Sequence, residues 1–186
     1  MGTQLLSNNF FNRPTLDVAR ELLGARLAVR DTTGRIGRHT ITEVEAYDGP
    51  EDLASHASRG RTERNTPMFG PPGYWYVYLC YGMHWMLNIV TGPIDYPAAV
   101  LIRGLEDISG PARLTKRLDI DRRFDSLVAN RRTGLWIETG RTMSNAEVKR
   151  LPRIGVDYAG DWADRPYRFI VSLELVKKMG KKTQKV

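Results

Sequence analysis

An aromatic segment at residues 73–89 constrains the fold more than any other part of the chain. Its sequence is GYWYVYLCYGMHWMLNI, and it holds six of the chain's seventeen Phe, Trp and Tyr residues. In a strand, side chains point alternately to the two faces of a sheet, so Tyr76 and Tyr78 would share one face and Trp75 and Val77 the other. The segment is therefore predicted to form two strands, with most of its rings in the core.

The residues between these two strands are CYGM, at positions 80–83, where a hairpin must turn. A ring at the tip of a hairpin cannot be buried by its own sheet, so Tyr81 is expected to be exposed. Exposed aromatic side chains can insert into a DNA base stack, which makes DNA a candidate partner of this tip. Beyond the turn, alternation puts His84, Met86 and Asn88 on one face.

Periodicity and turn residues predict the other elements. Helices are predicted over residues 14–23, which open on Pro14, and over residues 109–120, with Ser109 near the start. Strands are predicted at residues 25–30, 39–47, 97–106, 134–138 and 167–175, with a turn at 31–34 and a long loop at 48–73. Strands outnumber helices, and several are joined by short turns. The fold class is therefore α+β: a single mixed domain with a curved, largely antiparallel β-sheet flanked by helices.

Length and charge bound the domain organisation. The chain has 186 residues, enough for one domain, which we place at residues 1–175. Residues 176–186 are Lys-rich, and we expect them to form a flexible tail. The net charge is +7, from 28 basic and 21 acidic residues, but five lysines lie in the last ten positions. The charge therefore leaves a nucleic-acid partner and a merely solvated tail equally open.

Composition also limits the compartment and the cofactors. No apolar run approaches the roughly 18 residues that a membrane helix needs, and the first residues do not resemble a secretory signal. Cys80 is the only cysteine, so an internal disulfide and a Cys-based zinc site are excluded. The three histidines lack paired spacing, so we expect no metal site. We expect an intracellular protein that binds no membrane.

An acidic strand is the first candidate for chemistry. In the stretch HTITEVEAY at residues 39–47, alternation puts Ile41, Glu43, Glu45 and Tyr47 on one face. Two acids and a ring suit the wall of a polar site better than a core. Spacing of two residues separates Glu43 and Glu45 by about 6.5–7 Å along the strand. One acid could be a general base, both could act as a pair as in sugar hydrolases, or the face could be a solvated edge.

Basic residues supply the second candidate. His56 lies in the long loop and is followed by SRGRTERN, in which Arg59, Arg61 and Arg64 can reach phosphates. Arg103 ends the apolar strand AAVLIRG, where a charged residue is either an ion-pair partner or part of a site.

Five segments together resemble the alkyladenine (3-methyladenine) DNA glycosylase family. In order, from about Phe10 to Val171, they are TEVEAYDGPEDLASH, RTERNTPMFGPPGYWYVYLCYGMHWMLNI, AAVLIRGLE, SGPARLTKRLDI and IGVDYAGDWADRPYRFIV. The resemblance implies a monomeric DNA repair enzyme of base excision repair. Such an enzyme flips 3-methyladenine, 7-methylguanine, hypoxanthine or ethenoadenine out of double-stranded DNA. It then hydrolyses the N-glycosidic bond without a cofactor and leaves an abasic site.

The resemblance also implies catalytic roles. By position, Glu45 resembles the general base that activates water, and Arg103 resembles the basic residue near that water and the DNA backbone. Glu43 would then only support Glu45. No lysine stands in the catalytic position, so we expect a monofunctional glycosylase that forms no Schiff base.

The same resemblance implies the binding residues. Tyr47, His56 and Tyr78 would sandwich the flipped base. Asn88 would disfavour guanine by crowding its 2-amino group, and Tyr81 would be the wedge that enters the minor groove. Aromatic rings suit electron-poor alkylated purines through stacking.

The chain departs from the family pattern at two places. Only Glu-Asp-Ile lies between Leu105 and Ser109, where the family has a longer connection, and His84 stands where an aromatic residue is common. Two other functions stay open. One is a carbohydrate hydrolase that uses Glu43 and Glu45 as a pair, and the other is a noncatalytic nucleic-acid-binding module.

Overall fold

The computed structural model describes residues 3–172 and residue 175, which form a single α+β domain. The α-helices are α1 (Asn8–Phe11), α2 (Thr15–Leu22) and α3 (Pro111–Arg117). The strands are β1 (Arg26–Arg30), β2 (Ile36–Asp48), β3 (Trp75–Cys80), β4 (His84–Val90), β5 (Ala98–Leu105), β6 (Ile108–Ser109), β7 (Leu135–Glu138), β8 (Val148–Leu151) and β9 (Arg168–Val171). The predicted Lys-rich tail lies outside the described residues.

The nine strands form one sheet whose main order is β3-β4-β5-β2-β1-β7. β6 pairs with β5, while β9 pairs with both β2 and β8. Every one of these pairs is antiparallel, which confirms the predicted fold class. In the described part of the chain, no helix is long and apolar enough to cross a membrane.

The aromatic segment forms the predicted hairpin. β3 pairs with β4 from Trp75 opposite Ile89 to Cys80 opposite His84, and the turn takes up residues 81–83. Trp75 and Ile89 are fully buried in the main core, together with Val77 and Leu87 on the same face. The opposite face of the hairpin is therefore free to carry rings to a site.

The strand β2 bends across the middle of the sheet. It pairs first with β1, and after two register shifts between Ile41 and Val44 it pairs with β5 and β9. Such irregularities bend a strand and exchange the faces of its side chains. Ile41 consequently lies in the core beside Val44 and Ala46, so the prediction that it shares a face with Glu43 and Glu45 is wrong.

The helices pack against this sheet. α2 is amphipathic and buries Val18, Ala19 and Leu22. The second predicted helix is shorter than expected, because Ser109 belongs to β6 and Gly110 is the N-cap residue. The short connection after Leu105 is a tight hairpin, in which Leu105 pairs with Ile108 across two residues.

The sequence patterns did not predict several short helices and strands. The long loop at 48–73 contains two 3-10 helices, His56–Arg59 and Thr66–Phe69. β8 has a polar sequence and was not predicted. The last strand ends at Val171, before the predicted boundary at residue 175, and residues 173–174 lie outside the described part.

Candidate active site

A cavity of about 470 Å³ opens beside the aromatic hairpin. Its walls come from β2, β3, β4 and β5, from the long loop and from the loop that follows β8. The lining residues are Tyr47, Ala54, His56, Arg64, Met68, Tyr76, Tyr78, Cys80, Tyr81, Met86, Asn88, Leu101, Arg103, Pro111, Ile154, Gly155, Val156 and Tyr158. The sheet thus brings most of the predicted site residues to one place.

The carboxylate of Glu45 lies directly behind the cavity wall and is fully buried. Its Oε2 accepts hydrogen bonds from the Tyr47 hydroxyl at 2.9 Å and from Arg103 Nη1 at 3.2 Å. Its Oε1 accepts one from the backbone N–H of Ile154 at 2.8 Å. All three partners line the cavity. Burial raises the pKa of Glu45 above its usual value, although the Arg103 charge opposes the rise.

Arg103 connects the two acids of β2. Its Nε donates to Glu43 Oε1 at 3.3 Å, while its Nη1 donates to Glu45. Glu43 is also bound by Arg168 Nη1, at 3.1 Å, from the neighbouring strand β9. Both acids are buried, so neither belongs to a solvated strand face. Neither acid lines the cavity itself; Glu45 is bound by three groups that do, and Glu43 by one, Arg103.

Three rings form one wall of the cavity. The ring centroids of His56 and Tyr78 are 4.6 Å apart at a steep angle, and those of Tyr76 and Tyr78 are 5.1 Å apart. His56 Nδ1 lies 3.1 Å from the Tyr76 hydroxyl. Burial, followed by the nearby Arg64 charge, lowers the pKa of His56, and burial raises the pKa of Tyr78. The wall is therefore uncharged at neutral pH.

Tyr47 lines the cavity from β2. It packs at the edge of two small apolar clusters, one around Met68 and Tyr76 and the other around Ala54 and Val156. Burial raises its pKa well above the usual range, with a further rise from the Glu45 charge. Its hydroxyl therefore stays protonated and donates to Glu45.

Asn88 is buried on β4, where it lines the cavity. Its Nδ2 donates to the backbone carbonyl oxygens of Tyr76, at 3.1 Å, and of Met86, at 3.4 Å. These bonds hold the amide group in one orientation on the cavity wall.

Tyr81 lies at the tip of the hairpin, as expected, and its side chain borders the cavity while 89% of it remains exposed. Its φ of 50° lies in the left-handed region, and Gly82 follows with φ of 69°. Met83 beside it is 69% exposed. The tight turn thus presents two apolar side chains to solvent.

The three loop arginines differ in their surroundings. Arg64 lines the cavity, donates to the Leu79 carbonyl at 2.8 Å and lies 5.1 Å from the Tyr78 ring centroid. Arg61 lies over the Phe69 ring and pairs with Asp95 at 3.6 Å. Arg59 is exposed and has no ion pair with any acid in the described part of the chain.

A buried ion pair that the sequence did not reveal joins the two loops of the site. Arg153 binds Asp52 through two hydrogen bonds, of 2.5 and 2.8 Å, and both side chains are fully buried. Arg153 also donates to the Ala46 carbonyl, and its guanidinium lies 4.9 Å from the Tyr47 ring centroid. A single arginine in a loop carries no periodic signal, so only the tertiary structure could show its role.

The loop after β8 supplies two further groups that sequence reasoning missed. Ile154 contributes the N–H that binds Glu45. Tyr158 lines the cavity, and its hydroxyl donates to the carbonyl of Ala54 at 3.2 Å, which bridges the two loops. The segment IGVDYAGDWADRPYRFIV carries part of the family resemblance, but the resemblance implies no role for its residues.

Comparison with known proteins now decides the family. A profile described as methylpurine-DNA glycosylase matches residues 9–174. This chain belongs to the methylpurine-DNA glycosylase family. The resemblance noted in the sequence is thereby confirmed, and the protein is a DNA glycosylase whose substrate partner is DNA.

Several proteins are similar to this methylpurine-DNA glycosylase over most of its length. One from Myxococcus xanthus is 45% identical over 181 residues, which cover 89% of each chain. One from Methanocella arvoryzae is 43% identical, over 89% of this chain and 91% of the relative. One from Streptomyces avermitilis is 43% identical, over 88% and 86%. Each carries the name "Putative 3-methyladenine DNA glycosylase".

Proposed function

We propose that this glycosylase hydrolyses the N-glycosidic bond of damaged purines with a water molecule that Glu45 activates. The proposed substrates are 3-methyladenine, 7-methylguanine, hypoxanthine and ethenoadenine in duplex DNA, and the product is an abasic site. One observation carries the proposal. The buried Glu45 carboxylate is bound by Tyr47, Arg103 and Ile154, and all three line an aromatic cavity.

The size and position of the cavity support base flipping as the route by which a damaged base reaches Glu45. A base within a duplex cannot reach an enzymatic carboxylate, so it must leave the stack at a cost of a few kcal/mol. A cavity of about 470 Å³ lies within the usual size of ligand sites. The exposed Tyr81 at its edge would enter the gap that the base leaves and offset part of that cost.

The aromatic wall supports the choice of damaged purines. Alkylation at N3 or N7 makes a purine cationic, and a cation is attracted to the faces of aromatic rings. His56 and Tyr78 on one side and Tyr47 from β2 supply such rings without any positive charge of their own. Repulsion would disfavour a cationic base if His56 were protonated, so its lowered pKa helps binding.

The surroundings of Glu45 suit a general base. Glycosidic cleavage passes through an oxocarbenium-like state, which a nearby carboxylate stabilises while it takes a proton from water. The raised pKa of Glu45 makes the carboxylate more basic. Arg103 keeps it ionised and can bind a phosphate or the water with Nη2, which has no partner among the described residues. Cationic lesions already leave easily, so one acid is sufficient for them.

The lining of the cavity supports a monofunctional, water-using enzyme. No lysine lines it in the described part of the chain, so no amine is present to form a Schiff base. We propose that the enzyme acts as a monomer and leaves the DNA strand uncut.

Two further roles follow from position. Asn88, with its amide fixed by two carbonyl oxygens, would exclude guanine by crowding its 2-amino group. Among the loop arginines, Arg59 is the most available for DNA phosphates, because Arg61 and Arg64 already have protein partners.

The arrangement of the two acids argues against a sugar hydrolase. An acid–base pair must flank the bond that it cleaves. Here Glu43 and Glu45 bind the same arginine, Arg103. The other two groups that bind Glu45, those of Tyr47 and Ile154, line the cavity, whereas the other partner of Glu43, Arg168, does not. A purely DNA-binding protein would not need the buried acid.

Product analysis tests this function. Duplexes with one hypoxanthine, one 7-methylguanine or no lesion are incubated with the enzyme, and the released bases are identified by mass spectrometry. We expect free hypoxanthine and 7-methylguanine, strands that break only after alkali, and no release from the undamaged duplex. Strand cleavage without alkali, or a protein–DNA adduct trapped by borohydride, would contradict the monofunctional mechanism.

A further inference from the structure

A chain of four alternating charges runs across three strands behind the cavity. In order it consists of Arg168 on β9, Glu43 on β2, Arg103 on β5 and Glu45 on β2, and the contacts are 3.1, 3.3 and 3.2 Å long. The side chains of Arg103 and Arg168 are 12% and 18% exposed, so water screens these charges poorly. Each charge therefore affects how its neighbours are held.

Arg103 is the shared member of this chain. It donates to Glu43 with Nε and to Glu45 with Nη1, so the two acids compete for one planar guanidinium. The second arginine, Arg168, binds Glu43 but not Glu45. Glu43 anchors the guanidinium on one side, while Arg168 neutralises Glu43 and limits how strongly it draws Arg103 away from Glu45.

The backbone fixes Glu43 in this position. Its register partner on β5 is Gly104, directly after Arg103. A Cβ added to Gly104 would lie 3.0 Å from the Glu43 Cβ and 3.3 Å from its Oε2. The close approach of the two strands therefore depends on glycine, and it places the Glu43 carboxylate beside the Arg103 side chain.

We infer that Glu43 and Arg168 are positioning residues that set the orientation of Arg103 and hence the activity of Glu45. This inference rests on the proposed role of Glu45 as the base. Of the three cavity-lining groups that bind Glu45, Glu43 binds one, Arg103, and Arg168 reaches the site through Glu43. We therefore expect both residues to act through Arg103.

The inference gives opposite signs for two variants. Glu43→Gln removes a negative charge that raises the pKa of Glu45. It also ends the ion pair between Glu43 and Arg103, so Arg103 binds Glu45 without competition and the pKa of Glu45 falls. Loss of Arg168 removes a positive charge that neutralises Glu43. Glu43 then attracts Arg103 more strongly, Arg103 moves away from Glu45, and the pKa of Glu45 rises. A base works only when deprotonated, so the acid limb of the rate profile follows its pKa.

The other groups that face Glu45 stay the same in both variants. They are the Tyr47 hydroxyl on its own strand, Tyr78 from β3, and the Ile154 N–H and Arg153 from the loop after β8. Burial raises the pKa of both tyrosines, so they remain neutral through the acid range.

Single-turnover excision of hypoxanthine, measured from pH 4.5 to 8.5 with saturating enzyme, tests the inference. In Glu43→Gln the acid limb should move to lower pH, and in Arg168→Met to higher pH, each by about half a unit to one unit. Arg168→Met should also excise about tenfold more slowly at neutral pH, and Arg168→Lys should recover part of the loss. Arg150→Met is the matched control, because Arg150 lies on the neighbouring β8 and its partners among the described residues are the Pro166 carbonyl and the Phe169 ring.

The double variant separates this role from a purely structural one. Arg168 also donates from Nε to the Pro152 carbonyl at 2.8 Å, near the loop that carries Ile154. If Arg168 acts through Glu43, Arg168→Met should change the rate less than about twofold in a Glu43→Gln background. Equal slowing by Arg168→Met in the wild-type and Glu43→Gln backgrounds would overturn the inference. So would acid limbs of the two single variants that do not shift, or that shift in the same direction.

Glu45→Gln, run beside these variants, distinguishes the two levels of the proposal. If Glu45→Gln excises like the wild type, both the water-activating role and the positioning role are wrong. If it is inactive while the acid limbs of the other variants match the wild type, only the positioning role is wrong.

Discussion

The two sides of the cavity hold their functional groups in different ways. On the sheet side, Glu45 is fully buried and fixed by three hydrogen bonds. On the hairpin side, Tyr81 is 89% exposed, and its side chain makes no hydrogen bond to the described residues. Proton transfer requires fixed geometry, whereas insertion into DNA requires a side chain that becomes buried only when the partner arrives. The difference agrees with the proposed chemical role of Glu45 and the proposed docking role of Tyr81.

The largest effect on stability should come from breaking the buried Arg153–Asp52 pair beside Glu45. Arg153→Met leaves Asp52 as an unpaired buried charge, which typically destabilises a protein by about 3–5 kcal/mol. Chemical denaturation should show this loss. Arg117→Met removes an exposed pair with Asp107 and should change stability much less. Equal losses of unfolding free energy in Arg153→Met and Arg117→Met would mean that the buried pair does not stabilise the packing of the two loops.

Removal of the exposed ring tests the docking side. Stacking of an aromatic side chain on bases contributes about 1–3 kcal/mol, so Tyr81→Ala should weaken binding to a lesion duplex by roughly 5- to 150-fold. Thermal unfolding should be unchanged, because the side chain is already exposed in the free protein. The ethenoadenine fluorescence that reports flipping should fall. An unchanged flipping signal would remove Tyr81 from the wedge role.

Asn88 tests whether the hairpin also carries a fixed group, because it lies on β4 and its amide is held by two carbonyl oxygens. Asn88→Ser shortens the side chain and creates space on the cavity wall, so guanine should be released more readily, by about tenfold. Release of guanine and of hypoxanthine from matched duplexes measures the change. Excision of hypoxanthine should alter little. If guanine release does not change, Asn88 does not exclude that base.

The smallest effect should come from a single phosphate contact. Arg59→Ala should weaken binding a few-fold for damaged and undamaged duplexes alike, since phosphates carry no sequence information. The slope of log affinity against log salt should decrease by about one. Arg61→Ala is the control, because Arg61 already pairs with Asp95. An unchanged salt slope in Arg59→Ala would exclude the phosphate contact.

Local patterns predicted the regular parts of the fold. Strict alternation identified the hairpin of β3 and β4, and the amphipathic pattern of α2 identified that helix. The face of Ile41 was mispredicted because a register irregularity has no marker in the local sequence. The polar strand β8 lacked the apolar alternation by which strands are recognised.

The residues of the site fall into the same two groups, those that local sequence patterns predict and those that they do not. Its residues on strands, such as Glu45 and Tyr78, could be found from alternation and from the family resemblance. Arg153 and Arg168 could not, because their partners Asp52 and Glu43 lie more than a hundred positions away in the sequence. Only folding brings these partners together.

The most direct test of the account compares Glu45→Gln with the wild type on one ethenoadenine duplex. Glutamine preserves the shape of the side chain but cannot accept a proton from water. We predict an unchanged flipping fluorescence and an affinity within about threefold of wild type, while single-turnover excision falls by roughly 10²- to 10⁴-fold. Excision near the wild-type rate would contradict the central claim that Glu45 activates the water.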